Sequence, residues 1–162
     1  MVTAPRQPPE AVLAEATGEG KFQVRVRTGD HRLLMDEPLD YGGLGSGPSP
    51  FDLLSAALAS CTLMTMKLYA ERKGWSVDPR VHVSHRKGSA GERDRFERVI
   101  ELGEVTDEQR EGLLRIAQRC PVHLLFERGA DVSVSTAPDG LANVIPDCLH
   151  AQELTETCRE AA

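Results

Sequence analysis

Two cysteines carry the chemistry open to this chain: Cys61, inside a run of apolar and small residues, and Cys120, directly before Pro121-Val122-His123. A thiolate is a nucleophile that attacks a peroxide bond and passes to sulfenic acid. Positions 61 and 120, 59 apart, could cycle between dithiol and disulfide if the fold brings their Cα atoms within about 7 Å. The same residues also read as small buried hydrophobes, a common fate of free cysteine. Spacing leaves both readings open. Metal binding is poorly served, because there is no Cys-x-x-Cys and Cys120 with His123 is half of a zinc pattern.

Cys61 needs help to ionise. Burial raises a thiol's pKa, and a mid-helix position gains little from the helix dipole. A cation must come from elsewhere, and Lys21, Arg25, Arg27 and Arg32 are the expected suppliers. His31 either faces the site or is an ordinary strand histidine. His123 either tunes Cys120 or closes a helix end. Asp52 is the carboxylate nearest the start of the Cys61 helix. His82 and His85 have odd spacing and so point to opposite faces of a strand.

The element that positions Cys61 is a long helix. Ser49 is a cap, Pro50 suits the first helical position and Asp52 follows three residues after the cap. Leu53 to Met66 is almost wholly apolar or small, so the helix belongs in a core or an interface, and Gly74 is its stop. Before it, Lys21–Arg27 alternates as a strand, Thr28-Gly29-Asp30 turns, and His31–Met35 returns. Asp36-Glu37-Pro38 breaks the hairpin. A glycine-rich loop, Tyr41–Pro50, follows; its spacing matches neither a dinucleotide fingerprint nor a P-loop. After the helix, a strand opened by Val77 runs to His85, a polar turn spans Arg86–Arg95, and Arg95–Leu102 returns. Thr106 and Gln109 form a capping box for a second helix, on which Leu113, Ile116, Ala117 and Cys120 share a face and which Pro121 ends. Asp131–Thr136 reads as a closing strand, and Ile145–Glu160 as a possible tail helix with Cys148 and Cys158 as bystanders. This order is α+β with a mostly antiparallel sheet. Residues 1–19 read as a loose lead-in, 20–137 as the domain and 138–162 as a tail.

Composition narrows the class. The chain of 162 residues suits one domain. A net charge of −6 and few aromatics argue against nucleic-acid binding. No signal peptide or membrane span is expected, so a cytoplasmic location follows, where thiols stay reduced.

Three stretches give the chain a family likeness. Gly47-Pro48-Ser49-Pro50-Phe51-Asp52-Leu53-Leu54, Ala56-Ala57-Leu58-Ala59-Ser60-Cys61-Thr62 and Ile116-Ala117-Gln118-Arg119-Cys120-Pro121-Val122-His123 resemble the OsmC-like family. That group includes osmotically inducible protein C and the organic hydroperoxide resistance proteins. The resemblance spans about residues 20–136. It implies an intertwined homodimer with long helices at its centre, and a thiol-dependent peroxidase acting on organic hydroperoxides. It further implies that Cys61 is the peroxidatic cysteine and Cys120 the resolving one, with an external dithiol as reductant and no bound cofactor or metal. Two positions depart from the pattern. The family's glutamate ten residues before the first cysteine is Phe51 here, and Asp52 lies about 100° further round the helix. The family's arginine falls near Gly20-Lys21, where lysine is not an equivalent forked donor. The alternatives are a member that binds a small hydrophobic molecule without catalysis, or thiol chemistry on another electrophile.

Overall fold

The computed structural model describes residues 12–134, 136 and 156–159. The described chain divides into two units, one holding the residues up to Pro50 and the other built on Phe51–Asp131. The composition is mixed α and β, with every strand pair antiparallel.

The first unit is a three-stranded sheet in the order β1 (Leu13–Ala16), β2 (Val24–Thr28), β3 (His31–Met35). The expected hairpin is present, with Thr28 opposite His31 and Gly29 at φ 55° in the two-residue turn. Its first strand begins at Val24 rather than Lys21, because residues 20–22 turn and the Lys21 ammonium lies 4.7 Å from the Phe22 ring centre. The lead-in is not wholly loose. Leu13–Ala16 pairs with β2, a strand that four mostly exposed residues without β-branching did not announce.

Asp36, read as a strand breaker, is the unit's buried anchor, 2% exposed. One carboxylate oxygen accepts the Glu37 amide at 2.9 Å. The other accepts the Leu44 and Ser46 amides at 2.9 and 3.2 Å and the Ser46 hydroxyl at 2.8 Å. Burial pushes its pKa up, but the Ser46 hydroxyl and the three amides outweigh it and hold the group below the ordinary carboxylate value. These bonds fold the glycine-rich loop back on β3. A Cβ at Gly43 would collide with the Glu37 carbonyl, and one at Gly47 with the Leu34 carbonyl. The glycines serve close backbone approach, not phosphate.

The second unit holds α1 (Pro50–Arg72), the hairpin β4 (Arg80–Arg86) and β5 (Arg95–Glu101), α2 (Asp107–Ala117) and α3 (Pro121–Arg128). The capping box of α2 is formed as expected, with Thr106 and Gln109 each bonding the other's backbone amide. In α1 the buried side chains include Leu58, Cys61, Thr62, Thr65, Met66, Tyr69 and Ala70. Polar residues enter this face because their hydroxyls bond back along the helix, Thr62 to the Leu58 carbonyl at 2.7 Å and Thr65 to that of Cys61 at 2.8 Å. Met66, Tyr69, Leu113 and Ile116 form the larger core, with Trp75, Val81 and Ile100 packed against it. An 18-residue window of α1 reaches a mean hydropathy of 1.4, so the expectation that no segment has span-like length and apolarity is corrected. Its buried face makes it a core helix of this unit.

Two further expectations change. Pro121 does not simply end the second helix: α2 stops at Ala117, and Cys120 caps a third helix that Pro121 begins. Proline fits that first position because its missing N–H has no intrahelical partner anyway. The closing strand over Asp131–Thr136 is not formed among its described residues, and Val132 and Val134 are 87% and 94% exposed. Alternation supplies strand propensity, but a strand also needs an edge to pair with. In the tail, residues 156–159 are helical, while Cys148 and the rest of that expected helix lie outside the described residues. Cys158, expected to be a bystander to the chemistry, is a buried core residue, its thiol donating to the Thr65 carbonyl at 3.6 Å.

Candidate active site

The second unit brings Cys61 and Cys120 together. They share a small core cluster with Leu58, against which Val83, Phe96, Val122 and Phe126 pack, and they are linked by a hydrogen bond. Both residues are buried, at 2% and 0% exposure. Cys61 arrives from the middle of α1, one turn after Leu58. Cys120 arrives from the α2–α3 junction, where its sulfur takes the place an N-cap oxygen usually fills and accepts the His123 amide at 3.3 Å.

The cation at this pair is Arg98 of β5. One guanidinium nitrogen donates to the Thr62 hydroxyl at 2.9 Å and the Ala117 carbonyl at 2.7 Å, and lies 3.9 Å from the Cys120 sulfur. The other donates to His123 Nδ1 at 3.3 Å. Arginine has no acceptor, so this Nδ1 carries no proton; the imidazole proton sits on Nε2, which faces Glu127 at 3.1 Å. The Thr62 hydroxyl lies 3.5 Å from the Cys120 sulfur and has one proton to give, to that sulfur or to the Leu58 carbonyl. An ionised sulfur, the stronger acceptor, draws it.

The two thiols are thereby driven apart in acidity. Cys120 falls well below the ordinary thiol value, first because Cys61 donates to it, then through Thr62, the His123 amide and the Arg98 charge, against the cost of burial. Cys61 is pushed up by that same donation and by burial. Two adjacent sulfurs cannot both ionise cheaply, so the pair shares a proton and titrates as a unit. Cys158 is also raised, by burial, and is set up to be inert.

Beside the pair is a cleft of about 490 Å³ lined by Leu58, Phe96, Phe126, Arg93, Arg98 and His123, among others. Its aromatic wall continues as a stack: Phe126 on Phe96 at 4.8 Å between ring centres, Phe96 on His85 at 4.6 Å and His85 on Phe51 at 4.5 Å. Asp94 holds His85 from the side at 2.8 Å. Phe51, at the position where the resemblance leads one to look for glutamate, is therefore part of an aromatic ladder. His82 points the other way and pairs with Glu101 at 3.0 Å, as the odd spacing required.

Of the residues singled out in the sequence, Cys61, Cys120 and His123 are gathered here. Asp52 is exposed in the first turn of α1. Lys21, Arg25, Arg27, His31 and Arg32 belong to the first unit, all exposed. Arg98 was missed, although the signal was present. In a period-two strand, Phe96, Arg98 and Ile100 share a face, and that face is the half-buried one. A lone arginine between two large hydrophobes on an inward face marks a charge with a buried partner.

Residues 43–135 match the family model for OsmC-like protein. Solved structures share the fold. A candidate osmotic-stress-induced and detoxification-response protein of Psychrobacter arcticus is 21% identical, with TM-score 0.60, over 76% of this chain and 90% of its own. The organic hydroperoxide resistance protein OsmC of Legionella pneumophila is 21% identical, with TM-score 0.53, over 71% and 88%. The organic hydroperoxide resistance protein OhrB of Bacillus subtilis is 19% identical, with TM-score 0.52, over 70% and 87%. No curated protein sequence matches the chain.

Proposed function

The chain belongs to the OsmC-like family, and from that premise we propose that it is a thiol-dependent peroxidase that reduces organic hydroperoxides in defence against oxidative stress. The observation that carries the reading is the buried, hydrogen-bonded pair of Cys61 and Cys120 with a guanidinium beside it. In the cycle, one thiolate attacks a peroxide oxygen, breaks the O–O bond and becomes a sulfenic acid, releasing an alcohol. The second thiol displaces water and closes the disulfide, and an external dithiol restores both thiols. The resemblance gives the first attack to Cys61 and the closing step to Cys120; the cycle itself requires only that the two sulfurs meet. No bound cofactor or metal enters these steps, and a reducing cytoplasm would supply the dithiol.

The cleft supports a substrate with an apolar body, because Leu58, Phe96 and Phe126 offer contact area and Arg93, Arg98 and His123 offer polar ends. A homodimer is part of the same proposal. Leu54 and Met64 on α1 are 41% and 54% exposed, which leaves apolar surface on the helix for a second copy to cover. The near-complete burial of both sulfurs favours one rival: a module that binds a small hydrophobic molecule in this cleft and keeps its cysteines for packing.

The test is steady-state consumption of cumene hydroperoxide against hydrogen peroxide with dithiothreitol as reductant, in the wild type, Cys61→Ser and Cys120→Ser. The peroxidase predicts turnover that favours the organic peroxide and is lost in both variants. Absence of turnover in the wild type, together with saturable uptake of an apolar dye into the cleft, would establish the binding module instead.

A further inference from the structure

Resting on that reading, we propose that Arg98 supplies the positive charge that serves the Cys61–Cys120 pair, and that His123 and Glu127 are positioning residues that fix its guanidinium there. An untethered arginine samples many rotamers, and holding it in one costs conformational entropy. Arg98 is tethered from three helices. One guanidinium nitrogen donates to the Thr62 hydroxyl of α1 at 2.9 Å and to the Ala117 carbonyl at the end of α2 at 2.7 Å. The same nitrogen stands 3.9 Å from the Cys120 sulfur. The other nitrogen donates to His123 Nδ1 of α3 at 3.3 Å. With both nitrogens engaged, the planar fork has one orientation, and that orientation points a charge at the thiols.

His123 can hold Arg98 only as the tautomer with a bare Nδ1, since a proton there would set a donor against a donor. Glu127, one turn further along α3, selects that tautomer by facing Nε2 at 3.1 Å. The imidazole therefore has a carboxylate behind it and a guanidinium in front. Exposure grades the two contributions. The His123 side chain is 24% exposed and that of Glu127 is 62% exposed, so water competes more for the outer bond than for the inner one.

The charge serves the pair rather than one member of it. The two thiols are hydrogen-bonded, and consecutive amides at the start of α3 reach them, Val122 to Cys61 and His123 to Cys120 at 3.3 Å. One negative charge shared by the pair meets that helix start and the guanidinium, whichever sulfur carries it. Arg98 lines the cleft as well, so one group touches a thiol and the space a hydroperoxide would fill. The other charged groups on that wall are Arg93 and Asp94, and both are engaged. Arg93 donates to the Phe126 carbonyl at 3.1 Å. Asp94 accepts the Gly88 amide at 3.0 Å and pairs with His85 at 2.8 Å.

The test uses no peroxide, so its failure is separable from failure of the peroxidase reading. Thiolate absorbance in the ultraviolet is followed against pH, and the signal of a variant lacking both Cys61 and Cys120 is subtracted to remove the other thiols. Arg98→Met should leave about tenfold less thiolate on the acid side of the titration, with Arg98→Lys recovering part of the loss. His123→Leu, which keeps the arginine but removes its acceptor, should lose several-fold. His123→Asn should recover most of that, because its side-chain oxygen offers an acceptor at the branch position of Nδ1. Glu127→Ala should lower thiolate about twofold, whereas removing a bystander carboxylate would raise it. A folding defect would affect His123→Leu and His123→Asn alike, so the difference between them belongs to the acceptor. Titrations of the wild type and Arg98→Met that coincide, or His123→Asn no better than His123→Leu, would overturn the proposal.

Discussion

The molecule holds two buried acidic groups, one in each unit, and their surroundings are built differently. Asp36 in the first unit is surrounded by neutral donors from its own neighbourhood: three amides and one hydroxyl between Glu37 and Ser46. Cys120 in the second unit draws its donors from three separate elements, one of them a full positive charge and another a second thiol. A carboxylate saturated by local amides can only organise the loop that supplies them. A thiol beside a guanidinium from another element, a second thiol and a cleft is placed for the redox chemistry proposed above. The contrast separates a structural site from a candidate reactive one without reference to the family.

The comparison breaks first at the thiols. Removing either Cys61 or Cys120 should lower hydroperoxide turnover by about a thousandfold or more, and the double variant should be no worse than either single one, because the pair acts as a unit. Steady-state assays with all three variants check this. If the double variant were further impaired by the product of the two single losses, the sulfurs would be acting independently.

The next effect is in the other unit. Gly47→Ala pushes a Cβ into the Leu34 carbonyl, and overpacking of this kind costs about 1–3 kcal/mol. Chemical denaturation should show the loss. Asp36→Asn should lower Tm by several degrees and remove part of the acid sensitivity. The sign follows from its depressed pKa: its contribution is complete above the unfolded value of about 3.9 and fades as pH falls through the lower folded value. Thermal melts across that range would show a shallower acid limb in the variant than in the wild type. In both variants labelling of Cys120 near neutral pH should hold if the reactive anion depends on its own donors alone. The smallest effect is Thr62→Val, which removes one weak donor from the sulfur and one acceptor from Arg98; a loss of about 0.5–1.5 kcal/mol in thiolate stability, seen as a several-fold slower labelling of Cys120 below neutral pH, is expected.

Much of this architecture was legible from the residues. Proline at the start of α1, the capping box at Thr106 and the alternation of β4 and β5 each state a local rule that the fold obeys. The two cysteines were legible too, as candidates. What was not legible is what depends on contact at a distance. Cys120 was assigned to the end of one helix because Ile116, Ala117 and Cys120 share its spacing, yet Pro121 serves equally well as the beginning of the next. Asp36 looked like a breaker because nothing local says that Leu44 and Ser46 fold back onto it. A cation for the thiols was sought on the first hairpin, where basic residues are dense; the one that the second unit itself sets beside Cys120 is Arg98, a single charge on the inward face of a strand. Density of charge along a sequence indicates a solvated face; one charge out of place on an apolar face indicates a site.

The account rests on Cys61 and Cys120 forming a redox pair, and one single-turnover experiment addresses that directly. Reduced protein would be mixed with one equivalent of cumene hydroperoxide without added reductant, quenched by alkylation and mapped by peptide mass spectrometry. The account predicts one Cys61–Cys120 disulfide formed per peroxide consumed, with Cys158 unmodified. Peroxide left unconsumed, or both thiols recovered alkylated and unlinked, would contradict it.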